Sequence, residues 1–237
     1  MRAGIIAAGD GSRLAHLGVP KPLVRVGGRT LLQRTTELLV SAGVQEIALI
    51  VNGSSNEVIA HARSLKLPVN LQLVVKKTPS SMHSLYELRA LLLGPSDAPA
   101  SHCVVCTIDS IIAPSAFVGF VDAVRTAHDA DLILAHTDFV DDERPLRVSV
   151  DRHGRVTAVG DAAAQSPLVT IGAYGLNARV FDLARDVIAE GGMRLRTLLG
   201  RAVTEGFVAR SYSVGKAIDV DRPTDIRAAD DFLRERV

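Results

Sequence analysis

Arg13 and Lys21 are the side chains of this 237-residue chain best placed to meet a polyphosphate. Arg13 ends Gly9-Asp10-Gly11-Ser12-Arg13, directly after the strand-like run Arg2-Ala3-Gly4-Ile5-Ile6-Ala7-Ala8, and Lys21 sits in Pro20-Lys21-Pro22-Leu23. Glycines where a strand ends let the backbone turn its N–H groups on an anion, while a guanidinium and an ammonium supply neutralising charge. Pro20 fixes its own φ and Pro22 biases Lys21 toward an extended backbone, so the ammonium is presented from a stiff loop. Stiffness matters because phosphoryl and nucleotidyl transfer rest on positioning and charge stabilisation. The plainer reading is a glycine turn flanked by solvated cations.

Two familiar phosphate motifs do not apply. The dinucleotide fingerprint needs a third glycine where this chain has Leu14, and the P-loop needs a Gly-Lys-Ser/Thr that Gly11-Ser12-Arg13 lacks.

Three acids complement the cations. Asp109 stands where the strand-like Cys103–Ile108 runs out, the end of an open parallel sheet at which ligands bind, although an N-cap ahead of Pro114 would also explain it. In Ala217-Ile218-Asp219-Val220-Asp221 the period of two puts Asp219 and Asp221 on one face, where they repel unless a cation sits between or beside them. A hard ion such as Mg²⁺, bound by one or two carboxylates plus substrate phosphates, relieves that repulsion. Alternatively Asp221 caps the helix that contains Pro223 and Asp219 faces water.

The elements that must position these groups alternate between strand and helix, which predicts a three-layer α/β/α domain with a mixed, mostly parallel sheet. Strands are expected at Arg2–Ala8, Glu46–Val51, Val69–Val75, Cys103–Ile108, Asp131–Thr137 and Val169–Gly175. Helices are expected after Thr30, over Ser55–Leu65, over Ser81–Leu93, from Pro114 to His128, on both sides of Gly191-Gly192, and from about Thr224. Two hairpins interrupt the rhythm: Arg147–Asp151 with Arg155–Val159, and a late C-terminal one joining Phe207–Val214 to Ala217–Val220 about Gly215-Lys216. One domain over 1–237 is expected, with a nucleotide-binding part to about 138 and an acceptor-binding part from about 139.

A net charge of +1 carries no electrostatic footprint for nucleic acid or an anionic membrane, so a small phosphorylated ligand held locally suits the chain better. No leader-like segment and no membrane-length apolar run is visible, which predicts a cytoplasmic protein and leaves homo-oligomer formation open. Cys103 and Cys106 lie three apart in a strand, on opposite faces, and are read as buried rather than as a redox or metal pair. His16, His61, His128, His136 and His153 have no metal-ligand spacing. His83 is read as an ordinary helix position, and Ser110 lacks a base that would make it a nucleophile. The run from Asp138 through Asp141-Asp142-Glu143-Arg144 reads as a solvated loop, or as a lid over the acceptor.

Ala7-Ala8-Gly9-Asp10-Gly11-Ser12-Arg13-Leu14, Pro20-Lys21-Pro22-Leu23 and Gly27-Gly28 resemble the signature of the sugar-phosphate nucleotidyltransferases, including the MobA-like enzymes and the cytidylyltransferases for choline phosphate and inositol phosphate. The likeness continues through Ile47–Gly53, Ser84-Leu85, Ile108-Asp109, Gly172-Ala173-Tyr174 and Ile218–Asp225. It implies a Rossmann-like nucleotidyltransferase fold, and Mg²⁺-dependent attack of an acceptor phosphate oxygen on the α-phosphorus of a nucleoside triphosphate, with pyrophosphate leaving. By the same resemblance Arg13 and Lys21 stabilise the transferring phosphates. Ala7, Ala8, Gly9, Gly11 and Ser12 line the nucleotide, Ser81 reaches the base, and Asp109 and Asp221, with Asp219, hold the metal.

Two departures bear on substrate. The chain reads Thr78-Pro79-Ser80-Ser81-Met82-His83 where relatives carry asparagines or a glycine-rich segment, and Val159-Gly160-Asp161 lacks the lysine that many sugar-1-phosphate enzymes place there. With no Trp, three Tyr and six Phe there is little for a quaternary ammonium cage, which favours a phosphosugar or phosphopolyol over choline phosphate. Other readings are a nucleotide-binding regulatory module without turnover, a nucleotide-sugar-dependent glycosyltransferase, and a molybdenum-cofactor guanylyltransferase-like enzyme.

Overall fold

A computed structural model describes residues 1–9, 14, 18–93, 101–139 and 145–235. Seven strands form the central sheet: β1 (Arg2–Ala7), β2 (Glu46–Val51), β3 (Asn70–Val75), β4 (Cys103–Thr107), β5 (Leu132–Thr137), β6 (Val169–Leu176) and β7 (Ala209–Ser213), in the order β7-β5-β6-β4-β1-β2-β3. All neighbours pair in parallel except β6, which runs against both β4 and β5. The helices are α1 (Leu31–Ser41), α2 (Asn56–Ser64), α3 (Ser81–Glu87), α4 (Arg89–Leu93), α5 (Pro114–Thr126), α6 (Ala178–Ala189), α7 (Leu195–Thr204) and α8 (Pro223–Arg234).

Alternation along the strands sends side chains into two cores, one on each face of the sheet. Ala3, Ile5 and Ala7 of β1 pack into one, where Leu31, Phe117, Phe120 and Phe232 lie fully buried; Ile6 and Ala8 join the other, with Leu85, Leu88 and Phe181. Cys103 and Cys106 fall into different cores, and burial pushes both thiols up to about 12, which leaves them inert. Among the described residues no helix is long and apolar enough to cross a membrane.

The strands on one side of β1 run outward in chain order while β4 lies on its other side, so the chain order reverses between β1 and β4. A crevice opens at the carboxyl ends of strands at such a point. Because β6 is antiparallel, its amino end reaches the same edge.

Of three local readings, two change and one holds. The segment Ser81–Leu93 is two helices broken at Leu88, the C-cap of α3. The hairpin Val148–Val150 with Val156–Val159 is present. The late hairpin is not: β7 pairs in parallel with β5, whereas Ile218–Asp219 pairs with Ser110–Ile111 in a separate ribbon. Main-chain pairing with the segment after β4 holds the C-terminal run beside Asp109, away from β7.

Candidate active site

Lys21 is the hub. Its Nζ donates to Asp109 Oδ2 and to Asp221 Oδ1, each at 2.6 Å. Burial alone would lower the Lys21 pKa, but the two carboxylates outweigh it and raise the value. Burial would likewise lift Asp109; the Lys21 charge and hydrogen bonds from Lys21 and Thr107 instead hold it below the usual carboxylate range.

Each member is set by local chain geometry. Pro20 is extended, with φ −58° and ψ 141°, and Lys21 opens a single 3₁₀ turn through Leu23, closed by Leu23 N–H donating to the Pro20 carbonyl at 2.8 Å. The extended backbone expected at Lys21 is thus found one residue earlier; the turn bond and the burial of Pro22 override the pre-proline bias. Asp109 follows β4, and Thr107 Oγ1 donates to its Oδ1 at 2.5 Å. Val220 N–H donates to the Asp109 carbonyl at 3.0 Å, which stitches the two acid-bearing segments together.

Asp221 does not cap α8. Arg222 is the N-cap residue, and buried Asp225 accepts from the Asp221 and Arg222 N–H groups at 2.9 and 2.7 Å, which leaves the Asp221 carboxylate to Lys21.

Asp219 lies within reach of these charges but is held by Ser110. The two-residue strand ends with it, so the alternation expected to carry on to Asp221 stops. Its Oδ1 accepts from Ser110 Oγ at 2.7 Å, and burial, followed by the Asp109 charge, pushes its carboxyl up to about 7. Among the described residues no group of three or more acids, histidines or cysteines is arranged to hold a metal, so Asp109, Asp219 and Asp221 do not converge as a trio. The donor set does suit a hard divalent cation at Asp109 and Asp221, because those two carboxylates already share one point of positive charge.

Two cavities meet here. One, of about 420 Å³, is lined by Ala7, Ala8, Gly9, Lys21, Asn52, Lys77, Thr78, Ser81, Ser84, Asp109 and Asp221, among others. The second, of about 310 Å³, is lined by Thr137, Phe139, Leu146, Thr170, Gly172, Tyr174, Arg194, Arg196 and Asp219, among others. Ser81, Thr107 and Asp109 line both. Gly11, Ser12 and Arg13 lie outside the described residues, as does the lid candidate from Asp141 to Arg144.

Sequence reasoning missed several wall residues. Asn52 is buried at the end of β2, its Oδ1 accepting from Ser54, and the carboxyl-end rule applied to Asp109 would have found it. Ser110, which has no base to make it a nucleophile, instead links Asp219 to Gly172, whose N–H donates to its Oγ at 3.0 Å. Gly172 is required by space: a Cβ there would stand 1.8 Å from Thr107 Oγ1. His83 is engaged with the α3 cap residue Ser80, its ring Nδ1 lying 2.8 Å from Ser80 Oγ.

The chain matches the family model described as the MobA-like NTP transferase domain over residues 3–202. It is 30% identical over 243 residues to a bifunctional IPC transferase and DIPP synthase of Rubrobacter xylanophilus, a match covering 98% of this chain and 51% of that protein. It is 31% identical over 159 residues to a CMP-5'-(3-aminopropyl)phosphonate synthase of Streptomyces rubellomurinus, covering 61% of this chain and 25% of that protein. The chain thus spans about half the length, or less, of these relatives. The fold matches that of the inositol-1-phosphate CTP transferase from T. maritima with a TM-score of 0.79 at 21% identity, covering 100% of this chain and 97% of that one.

Proposed function

The chain belongs to the MobA-like NTP transferase domain family, and from that premise we propose that it moves a nucleotidyl group from a nucleoside triphosphate to a phosphorylated sugar or polyol, releasing pyrophosphate. The observation that carries this reading is the Lys21 ammonium held 2.6 Å from both Asp109 and Asp221 in the crevice between β1 and β4.

In this reading the larger cavity takes the triphosphate. Ala7, Ala8 and Gly9 bring backbone close to its phosphates, and Lys21, together with Arg13, neutralises the charge that moves onto the pyrophosphate. Ser81 reads the base edge by its hydroxyl. Asp109 and Asp221 would hold Mg²⁺. When bound, the ion neutralises the triphosphate and polarises the α-phosphoryl group.

The smaller cavity takes the acceptor. An acceptor phosphate oxygen there enters beside Asp109, which lines both cavities, and attacks the α-phosphorus in line. Asp219 has its place on this side: a carboxyl already anchored by Ser110 is suited to orient an acceptor hydroxyl. Two relatives, by name a CTP transferase and a CMP product synthase, make CTP the donor expected first.

The test crosses the four nucleoside triphosphates with phosphate monoesters of sugars and polyols in the presence of Mg²⁺ and reads pyrophosphate. CTP with at least one monoester is expected to react, and Arg13→Ala and Asp109→Ala to abolish the reaction. Nucleotide binding without pyrophosphate release from any pair would overturn the reading in favour of a regulatory module. Wild-type rates in both variants would overturn the residue assignment.

A further inference from the structure

The acceptor cavity needs a cation of its own, and the segment expected to carry one does not supply it. Val159, Gly160 and Asp161 contain no lysine, and none of them is among the described residues lining the cavity. The cations that do line it, among the described residues, are Arg194 and Arg196. Both side chains are exposed.

Their position is built rather than incidental. Gly191 turns the chain at φ +87°, and Gly192 N–H donates to the Val187 carbonyl at 2.8 Å. A Cβ on Gly192 would lie 2.4 Å from Val187 Cγ1 and 3.1 Å from the Met82 methyl carbon. The turn is therefore pressed against both α6 and α3, which sets α7 against α3, the helix that carries Ser81.

The local sequence also breaks a rule. Arginine occupies the N-cap of α7 with no side-chain cap bond, and Arg196 follows in the first turn, where carboxylates and small hydroxyls are favoured and cations oppose the helix dipole. An anion in the cavity would offset that penalty at Arg194.

Resting on the proposed nucleotidyl transfer, we propose that Arg194 and Arg196 clamp the phosphate of the acceptor at the junction of the two cavities, so that the acceptor is a phosphate monoester of an uncharged, hydroxyl-bearing alcohol. Paired guanidiniums match phosphate geometry through their forked donors. The same pair repels a quaternary ammonium, so a choline-like acceptor is excluded on charge as well as for want of aromatic rings.

The test takes the best donor and monoester found for the wild type and compares R194A/R196A with R194K/R196K. The alanine pair is expected to raise the acceptor KM about 10–100-fold, with the triphosphate KM within about twofold and the melting temperature unchanged. The lysine pair is expected to recover part of the loss, because it keeps the charge but not the fork. An unchanged acceptor KM in the alanine pair overturns the proposal. If the wild type transfers to no monoester, the proposed function fails. Equilibrium dialysis of inositol 1-phosphate and glucose 1-phosphate against protein loaded with a non-transferable triphosphate analogue then decides the clamp alone: loss of binding in the alanine pair supports it, and equal binding overturns it. Should the double variant unfold, R194Q and R196Q are measured singly against the same criteria.

Discussion

Lys21 bears on rate more than on binding. On the proposed reading Lys21 faces the transferring phosphates, so replacing it with alanine is expected to lower kcat about 10²–10³-fold. The loss should show in single-turnover rates more than in triphosphate affinity, because a preorganised charge acts chiefly on the transition state. Gly172→Ala tests the opposite wall. A Cβ there would meet Thr107 Oγ1 at 1.8 Å and Ser110 Oγ at 2.6 Å, so both hydroxyls must move, and with them the bonds to Asp109 and Asp219. Displacing the reacting geometry by about 1 Å costs on the order of 10²-fold. A Gly172→Ala enzyme with wild-type kcat would show that this network does not position the acids. Of these residues, Lys21, Asp109 and Asp221 were legible because an interrupted strand, paired prolines and clustered acids are local signals. Ser110 and Gly172 were not, since their roles depend on a contact between β4 and β6 that no local pattern announces.

Among the elements, the junction of β5, α6 and β7 depends on one buried carboxylate. Asp131 Oδ1 accepts from Asn177 Nδ2 at 3.1 Å and from Arg179 Nη1 at 2.8 Å, and Oδ2 accepts from Val208 N–H at 2.9 Å. Burial would raise its pKa, but these bonds and the Arg179 charge outweigh burial and lower it. A depressed folded-state value means that the stabilisation is fully present above the unfolded carboxylate pKa of about 3.9 and is lost as pH falls through the folded value. Asp131→Asn is expected to cost about 1–3 kcal/mol at neutral pH by denaturant midpoint, with the gap from wild type closing below about pH 4. A gap constant down to pH 3 would assign the loss to packing. The strands of the parallel sheet could be read from period and flanking turns, whereas the late hairpin about Gly215-Lys216 could not. Two adjacent strand-like runs suggest each other as partners, and only the docking of Ile218–Asp219 on Ser110–Ile111 diverts them.

For the whole molecule, residues far apart in the chain must come together before either cavity is complete. Lys21, Asp109 and Asp221 belong to three separate stretches, joined by an ion group and by the Val220-to-Asp109 main-chain bond. Chelation with EDTA is accordingly expected to abolish pyrophosphate release while leaving the melting temperature of the free protein unchanged, because Lys21 already neutralises the acids in the fold. Excess Mg²⁺ should restore the rate, and full activity under chelation would rule out a metal at Asp109 and Asp221.

The reversed direction of β6 divides the labour of diversification. The larger cavity is walled by strand ends whose trailing loops feed the parallel crossovers, while the smaller one takes in the start of β6 and, from later in the chain, Arg194, Arg196 and Asp219. Insertions, deletions or grafts in the segment that leads into β6 reshape one wall of the smaller cavity and leave the strand ends of the larger one in place. On the proposed reading, the sugar or polyol end of the acceptor pocket can therefore be reshaped by rewriting a single contiguous stretch of gene, while the arginine pair and the triphosphate pocket stay as they are.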